Sequence, residues 1–119
     1  MLIEIPGIDT EAVFSLYDDE EIYRTILRTF VSRIPGVLDK IRNVTFETLP
    51  DYMIKIHALK GSGGSIGAKE TMAAAADLEA MAKKGDLAGV LAGNVVFLER
   101  TGVLVDDIRN WLEQFDAPI

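Results

Sequence analysis

The sequence predicts an all-α protein, an up-down antiparallel four-helix bundle with a short extra N-terminal helix. Three observations predict it. Apolar residues recur at spacings of three and four nearly throughout the 119 residues. No segment alternates like a strand. The loops between long helical stretches are short, which makes neighbouring helices antiparallel. One domain of this length has a radius of gyration of about 13–14 Å, and the whole of residues 1–119 is read as a single domain.

The first, short helix starts at a cap, Asp9 or Thr10, and carries Val13, Leu16 and Tyr17. Asp18 is the expected cap of the second helix, with Glu20 and Glu21 favourable in its first turn. Its apolar stripe is Ile22, Ile26, Phe30, Ile34, Val37 and Ile41. Pro35-Gly36 interrupts the stripe and predicts a kink or a break. The periodicity resumes afterwards, so one bent helix to about Arg42 is the preferred reading. Residues 43–47 read as a loop. Thr48-Leu49-Pro50-Asp51 then has the form of a helix start, with a capping hydroxyl, a proline in the first turn and an acid three residues after the cap. Tyr52, Ile56 and Leu59 continue this third helix.

A glycine-rich stretch follows, Gly61-Ser62-Gly63-Gly64-Ser65-Ile66-Gly67. The fourth helix is expected from about Ala68 to Lys84, stopped by Gly85, and its run Ala73 to Ala76 suits close helix packing. Asp86 caps the last helix, whose expected stripe is Leu91, Val95, Leu98, Val105, Ile108, Leu112 and Phe115, with Gly102 filling one slot. Running to about Phe115, it is roughly 45 Å long.

Composition narrows the function. Asp and Glu number 19 against 12 Lys and Arg, a formal charge of −7, and nucleic-acid phosphates would be repelled. Without cysteine there is no disulfide framework, thiolate metal site or cysteine nucleophile. No apolar run is expected to approach the roughly 20 residues of a membrane span. The opening Met1-Leu2-Ile3-Glu4-Ile5-Pro6 lacks the basic and apolar regions of a signal peptide. A cytoplasmic protein is expected.

The only histidine is His57. At about 100° per residue, Tyr52, Ile56, Leu59 and Gly63 cluster toward the core, and His57 lies about 130° from their middle, facing outward. Lys60 follows at i+3, near enough for its ammonium to reach a group carried by the imidazole. Gly61 at i+4 and Gly64 at i+7 leave one flank without side chains. An imidazole near its ordinary pKa of about 6.5 is mostly neutral at pH 7, hence nucleophilic. Each glycine costs about 1 kcal/mol in a helix interior relative to alanine, so propensity alone favours ending the helix at Lys60 with a loop beyond.

Other site chemistries fit poorly. A P-loop requires Gly, four residues and Gly-Lys-Ser/Thr, whereas Gly67 is followed by Ala68. The dinucleotide fingerprint starting at Gly61 and Gly63 would need glycine where Ile66 stands. No histidine or acid partner has metal-ligand spacing beside His57 on its helix, so no metal is expected. A hydrolytic triad lacks a placeable acid for His57, with only Ser62 and Ser65 following it. The run Asp18 to Glu21 and the pair Asp106-Asp107 read as caps or solvated turns, and Trp111 and Phe115 as packing residues.

His57-Ala58-Leu59-Lys60-Gly61-Ser62, followed by Ile66-Gly67-Ala68, resembles the signature of histidine-containing phosphotransfer (HPt) domains. Gly7-Ile8-Asp9 and the stretch from Asp19 to Phe30 resemble that family's N-terminal helices, so the likeness runs from about Gly7 to Phe115. The sequence departs from the pattern at Ile56, where alanine is frequent, and at Gly63 and Gly64, where serine, alanine or a larger residue is common. The resemblance implies a four-helix bundle whose third helix continues through Gly61 to about Ser65, and we follow it over propensity.

It also implies a phosphorelay intermediate of two-component signalling. His57 would accept a phosphoryl group from a receiver-domain aspartyl phosphate and pass it to another receiver. Lys60 would stabilise the phosphoryl charge, and Gly61 and Gly64 would let the receiver dock, with Met53 and Ile54 as further contacts. The chain offers nothing to bind ATP, so no autokinase activity and no cofactor are expected, and Mg2+ would sit on the receiver. Expected partners are response-regulator receivers or a hybrid sensor kinase, with the chain itself a monomer. A non-catalytic helical-bundle adaptor using the same face is the alternative.

Overall fold

In the computed structural model the described residues, 3–116, form five helices: α1 (Thr10–Leu16), α2 (Glu20–Lys40), α3 (Leu49–Ser65), α4 (Lys69–Lys83) and α5 (Leu87–Asp116). Residues 1, 2 and 117–119, which the expected single domain includes, lie outside the described residues. Helices α2 to α5 make the four-helix bundle, and α1 is the short extra helix. The radius of gyration is 15.0 Å, above the compact expectation, because the bundle is drawn out to 49 × 29 × 18 Å along α5.

The caps follow local chemistry. Asp9 caps α1, its side chain accepting from the Ala12 amide at 3.1 Å. Asp19, not the expected Asp18, caps α2, with its carboxylate 2.8 Å from the Glu21 amide. Thr48 precedes α3 as expected but makes no capping bond, because its hydroxyl is bonded back to Thr45. Asp86 accepts from the Gly89 amide at the start of α5. Gly85, at φ +72°, ends α4 in the left-handed conformation that glycine adopts without a Cβ penalty.

Pro35 does not break α2. A proline in a helix leaves the carbonyl four residues earlier without its N–H partner. That carbonyl is Val31, and Arg109 of α5 donates to it at 3.2 Å. A side chain from another helix therefore replaces the missing bond.

The buried row of α2 is Tyr23, Leu27, Phe30, Ile34 and Leu38, continued by Ile41. This corrects the expected stripe: Ile22 is 55% exposed, and Ile26 and Val37 are only half-buried. The row turned when a polar-tipped residue went inside. Tyr23 is fully buried because its hydroxyl donates to the Ile66 carbonyl at 2.7 Å, and burial pushes its phenol well above the usual range. In α1 only Val13 is buried; Leu16 is exposed.

The α5 stripe is corrected in the same way. Its buried positions are Val90, Asn94, Phe97, Thr101, Leu104, Val105, Ile108, Trp111 and Leu112. Leu91, Val95 and Phe115 are exposed. Asn94 is at home inside because the Tyr52 hydroxyl donates to its Oδ1 at 2.9 Å and its Nδ2 donates to the Ile41 carbonyl at 2.8 Å. This network ties α2, α3 and α5 together. Against the expectation that no apolar run is long enough, α5 has the length and composition to cross a membrane; here its apolar row packs against α2 and α4 in the bundle.

Helix α3 packs closely against α4 and only lightly against α2. Gly63, buried on α3, permits the close approach: an added Cβ would lie 3.3 Å from the Met72 amide nitrogen and 3.4 Å from Thr71. The turn into α4 passes through Gly67 at φ +81°, where a Cβ would come within 2.9 Å of Val13 and 3.1 Å of the Asp9 carbonyl. The Asp9 amide donates to the Gly67 carbonyl, and Lys69 pairs with the Asp9 carboxylate at 2.6 Å, so the N-terminal segment is fastened to this turn.

Candidate functional site

The site is built where α3 meets α4. His57 stands mid-way along α3 between the buried Ile56 and the exposed Ala58, and its side chain is 65% exposed. The helix runs unbroken to Ser65, so the glycine-rich stretch is helical as far as that residue, against its propensity. That places Lys60, Gly61 and Gly64 in the register expected from the sequence.

Glu79 of α4 completes the arrangement. It is buried, 6% exposed, and reaches both α3 side chains. Its Oε2 lies 2.6 Å from His57 Nδ1, and Lys60 Nζ donates to its Oε1 at 2.7 Å. The Lys60 ammonium, helped by His57, holds the Glu79 carboxyl below the usual carboxylate range, against the opposing effect of desolvation. Glu79 is thus ionised at neutral pH and can only accept. Facing that acceptor, Nδ1 takes the donor role, and in that tautomer the Nε2 lone pair is available.

This pairing corrects the expectation that His57 has no placeable acid partner. Glu79 is 22 residues away on another helix, so i+3 and i+4 rules could not reach it. Its signal was a lone acid at a buried position of an alanine-rich helix, in register with Ala75 and Ala82. The serines do not join the ring: Ser65 Oγ donates to the Gly61 carbonyl.

The remaining expected residues fall on two sides of the histidine. Pro50, Ile54, His57, Ala58, Gly61 and Ser65 are all exposed and lie along one face of α3. Ile54 is 69% exposed, and Gly61 has no atom within 4 Å of where a Cβ would stand. Met53 is half-buried, and Gly64 is half-covered by the Met72 thioether. Beside this face a groove of about 290 Å3 opens between α2 and α3, bounded by Thr29, Arg33, Ile34, Leu59 and Ser62. Trp111 packs on Phe115, their rings 4.9 Å apart, with Arg24 over the Phe115 ring at 4.4 Å, far along the chain from His57.

Four helices presenting one outward imidazole from α3, with an acid behind it and a bare flank beside it, match the arrangement expected from the sequence. The family model described as the Hpt domain matches residues 25–117. The chain belongs to that family, which performs histidine phosphotransfer in two-component signalling through receiver domains and kinases. No curated protein and no solved structure gives a significant match.

Proposed function

We propose that this protein is a phosphorelay intermediate, with His57 as the phosphoacceptor. It takes a phosphoryl group from the aspartyl phosphate of one receiver and delivers it to another. The observation that carries this reading is the pairing of an exposed ring with a buried anion: His57 faces solvent, while its Nδ1 is held 2.6 Å from Glu79.

The chemistry needs no proton transfer. The Nε2 lone pair attacks phosphorus in line. The phosphorus–oxygen bond to the aspartyl carboxylate breaks, and its electron pair leaves on that carboxylate. The product is an Nε2-phosphoimidazolium that keeps its Nδ1 proton, and its positive charge faces the Glu79 carboxylate. Delivery to the next receiver is the reverse: the N–P bond breaks, its pair returns to Nε2, and the neutral Nδ1–H ring is restored. Lys60, already at the site, supplies a cation for the phosphoryl oxygens. Mg2+ and the acid pocket come from the receiver. Glu79 touches no phosphoryl atom in this scheme and acts as a positioning residue.

The receiver docks on the exposed face of α3, with Ile54 and Met53 as apolar contacts and Gly61 and Gly64 admitting its backbone. We further propose that the bundle acts as one domain, as a monomer, in the cytoplasm and without autokinase activity.

The test is label transfer from a panel of phosphorylated receiver domains to the wild type and to His57→Gln. Acid-labile, base-stable label on the wild type and none on the folded variant is the expected result. Binding of a receiver by the folded wild type without label from any of them would support the adaptor alternative.

A further inference from the structure

A second and larger groove, of about 730 Å3, lies between α4 and α5 on the flank away from the α2–α3 groove. Its apolar lining includes Leu78 and Met81 from α4 and Val96, Phe97 and Val103 from α5. Val96 and Val103 are 47% and 55% exposed, so apolar side chains of the groove face water. The same lining carries Glu70 and Asp77 on α4 and Glu99 and Asp107 on α5, against a single cation, Arg100. None of these four acids enters an ion pair among the described residues. The groove is not the back of the histidine site. At about 100° per residue, Glu70, Ala74, Asp77 and Met81 lie about 140–180° around α4 from Glu79.

We propose that this groove binds a basic amphipathic helix of a partner protein. Charge decides the occupant. A lining that combines apolar side chains with four carboxylates fits a helix that offers both an apolar stripe and Lys or Arg residues. A second copy of this chain would bring the same acids and a formal charge of −7. Shape agrees: the seam between two antiparallel helices offers no free backbone edge for a strand. The groove is lined along α4 from Glu70 to Met81, with Pro6 and Gly7 of the N-terminal segment also bordering it, and about 17 Å of α4 accommodates about three turns of partner helix. Because α3 is not involved, the helix and a receiver can be held together. The proposal stands independently of the phosphoacceptor assignment.

The probe is a 16-residue capped peptide with leucines at i, i+3, i+4 and i+7 and lysines elsewhere, titrated into the isotope-labelled full chain and followed by NMR. A counterpart with glutamates in place of the lysines runs beside it. Expected are amide shifts confined to α4 and α5 around Val96, Val103 and Met81, and no binding of the glutamate peptide. Asp77→Lys with Glu99→Lys should weaken binding by about tenfold or more. Asp39→Lys with Glu47→Lys, the same charge change on exposed positions elsewhere, should weaken it far less. Shifts centred on α3, equal weakening by both double variants, equal binding of the glutamate peptide, or no shifts at all would each overturn the proposal.

Discussion

Helix α3 has two edges, and they are built to opposite specifications. Toward α4 the contact is tight: Gly63 lies against the Met72 backbone, and Glu79 crosses the seam to hold both His57 and Lys60. Toward α2 the helices stand apart over a groove of about 290 Å3, and the outer face carries exposed Ile54, Ala58 and Gly61. The closed edge sets the chemistry of the ring, and the open edge leaves room for a partner. One helix can do both because side chains three and four apart share a face while their immediate neighbours point elsewhere. Ile56, fully buried, adjoins His57, 65% exposed.

The largest effect is expected from putting the same side chain on each edge. Gly63→Leu places a branched side chain where a Cβ already meets the Met72 nitrogen at 3.3 Å, so overpacking should cost about 1–3 kcal/mol or more. Gly61→Leu meets open space and should leave stability unchanged or slightly raised. Urea unfolding of the two variants measures both. Equal losses would mean that the two edges are not different in the way described.

The polar anchor inside the bundle comes next. Asn94→Leu strands the buried Ile41 carbonyl and the Tyr52 hydroxyl, at a cost of about 1–3 kcal/mol in chemical denaturation. The same residue explains what the sequence concealed. Helix number, order and loops were legible because they depend on apolar spacing and on capping residues, and those signals are local. The faces of α2 and α5 were not, because hydrophobicity ranked Ile22 and Leu91 above Tyr23 and Asn94. Only the partners of Tyr23 and Asn94, Ile66 and Ile41 with Tyr52, make those two positions interior, and these lie 42 to 53 residues away. The candidate site divides the same way. His57, Lys60 and the bare flank belong to one helix and could be read, whereas Glu79 joins them only once α4 has folded back.

Glu79 also makes the closed edge pH-dependent. Its carboxyl is held below the ordinary 4.5, chiefly by Lys60, so its folded-state value is depressed. A depressed carboxylate contributes stability that is complete above its unfolded value and is lost as pH falls through the folded one. Glu79→Gln should therefore flatten the stability profile below about pH 5 relative to the wild type. Asp9, held low by Lys69, should retain its own acid sensitivity in that variant. On transfer, an amide replaces a charge-assisted bond by a neutral one, and the rate should fall on the order of tenfold. An unchanged rate would remove Glu79 from the positioning role.

The smallest change bears most directly on the open edge. Gly61 sits in a helix interior, where glycine costs about 1 kcal/mol relative to alanine. Nothing in the fold requires it: its φ is not positive, and no atom lies within 4 Å of an added Cβ. Gly67, by contrast, is needed by its own backbone, with φ +81° and Asp9 and Val13 crowding it. Gly61→Ala should therefore stabilise the bundle, by up to about 1 kcal/mol in denaturant. If the bare position exists to admit a receiver's backbone, the same methyl group should slow phosphotransfer and weaken receiver binding several-fold while His57 and Glu79 stay paired. A gain in stability joined to a loss in transfer is a combination that no purely structural role for Gly61 produces. A gain in stability with transfer intact would move the docking contact off Gly61 and leave Ile54 and the α2–α3 groove to carry it.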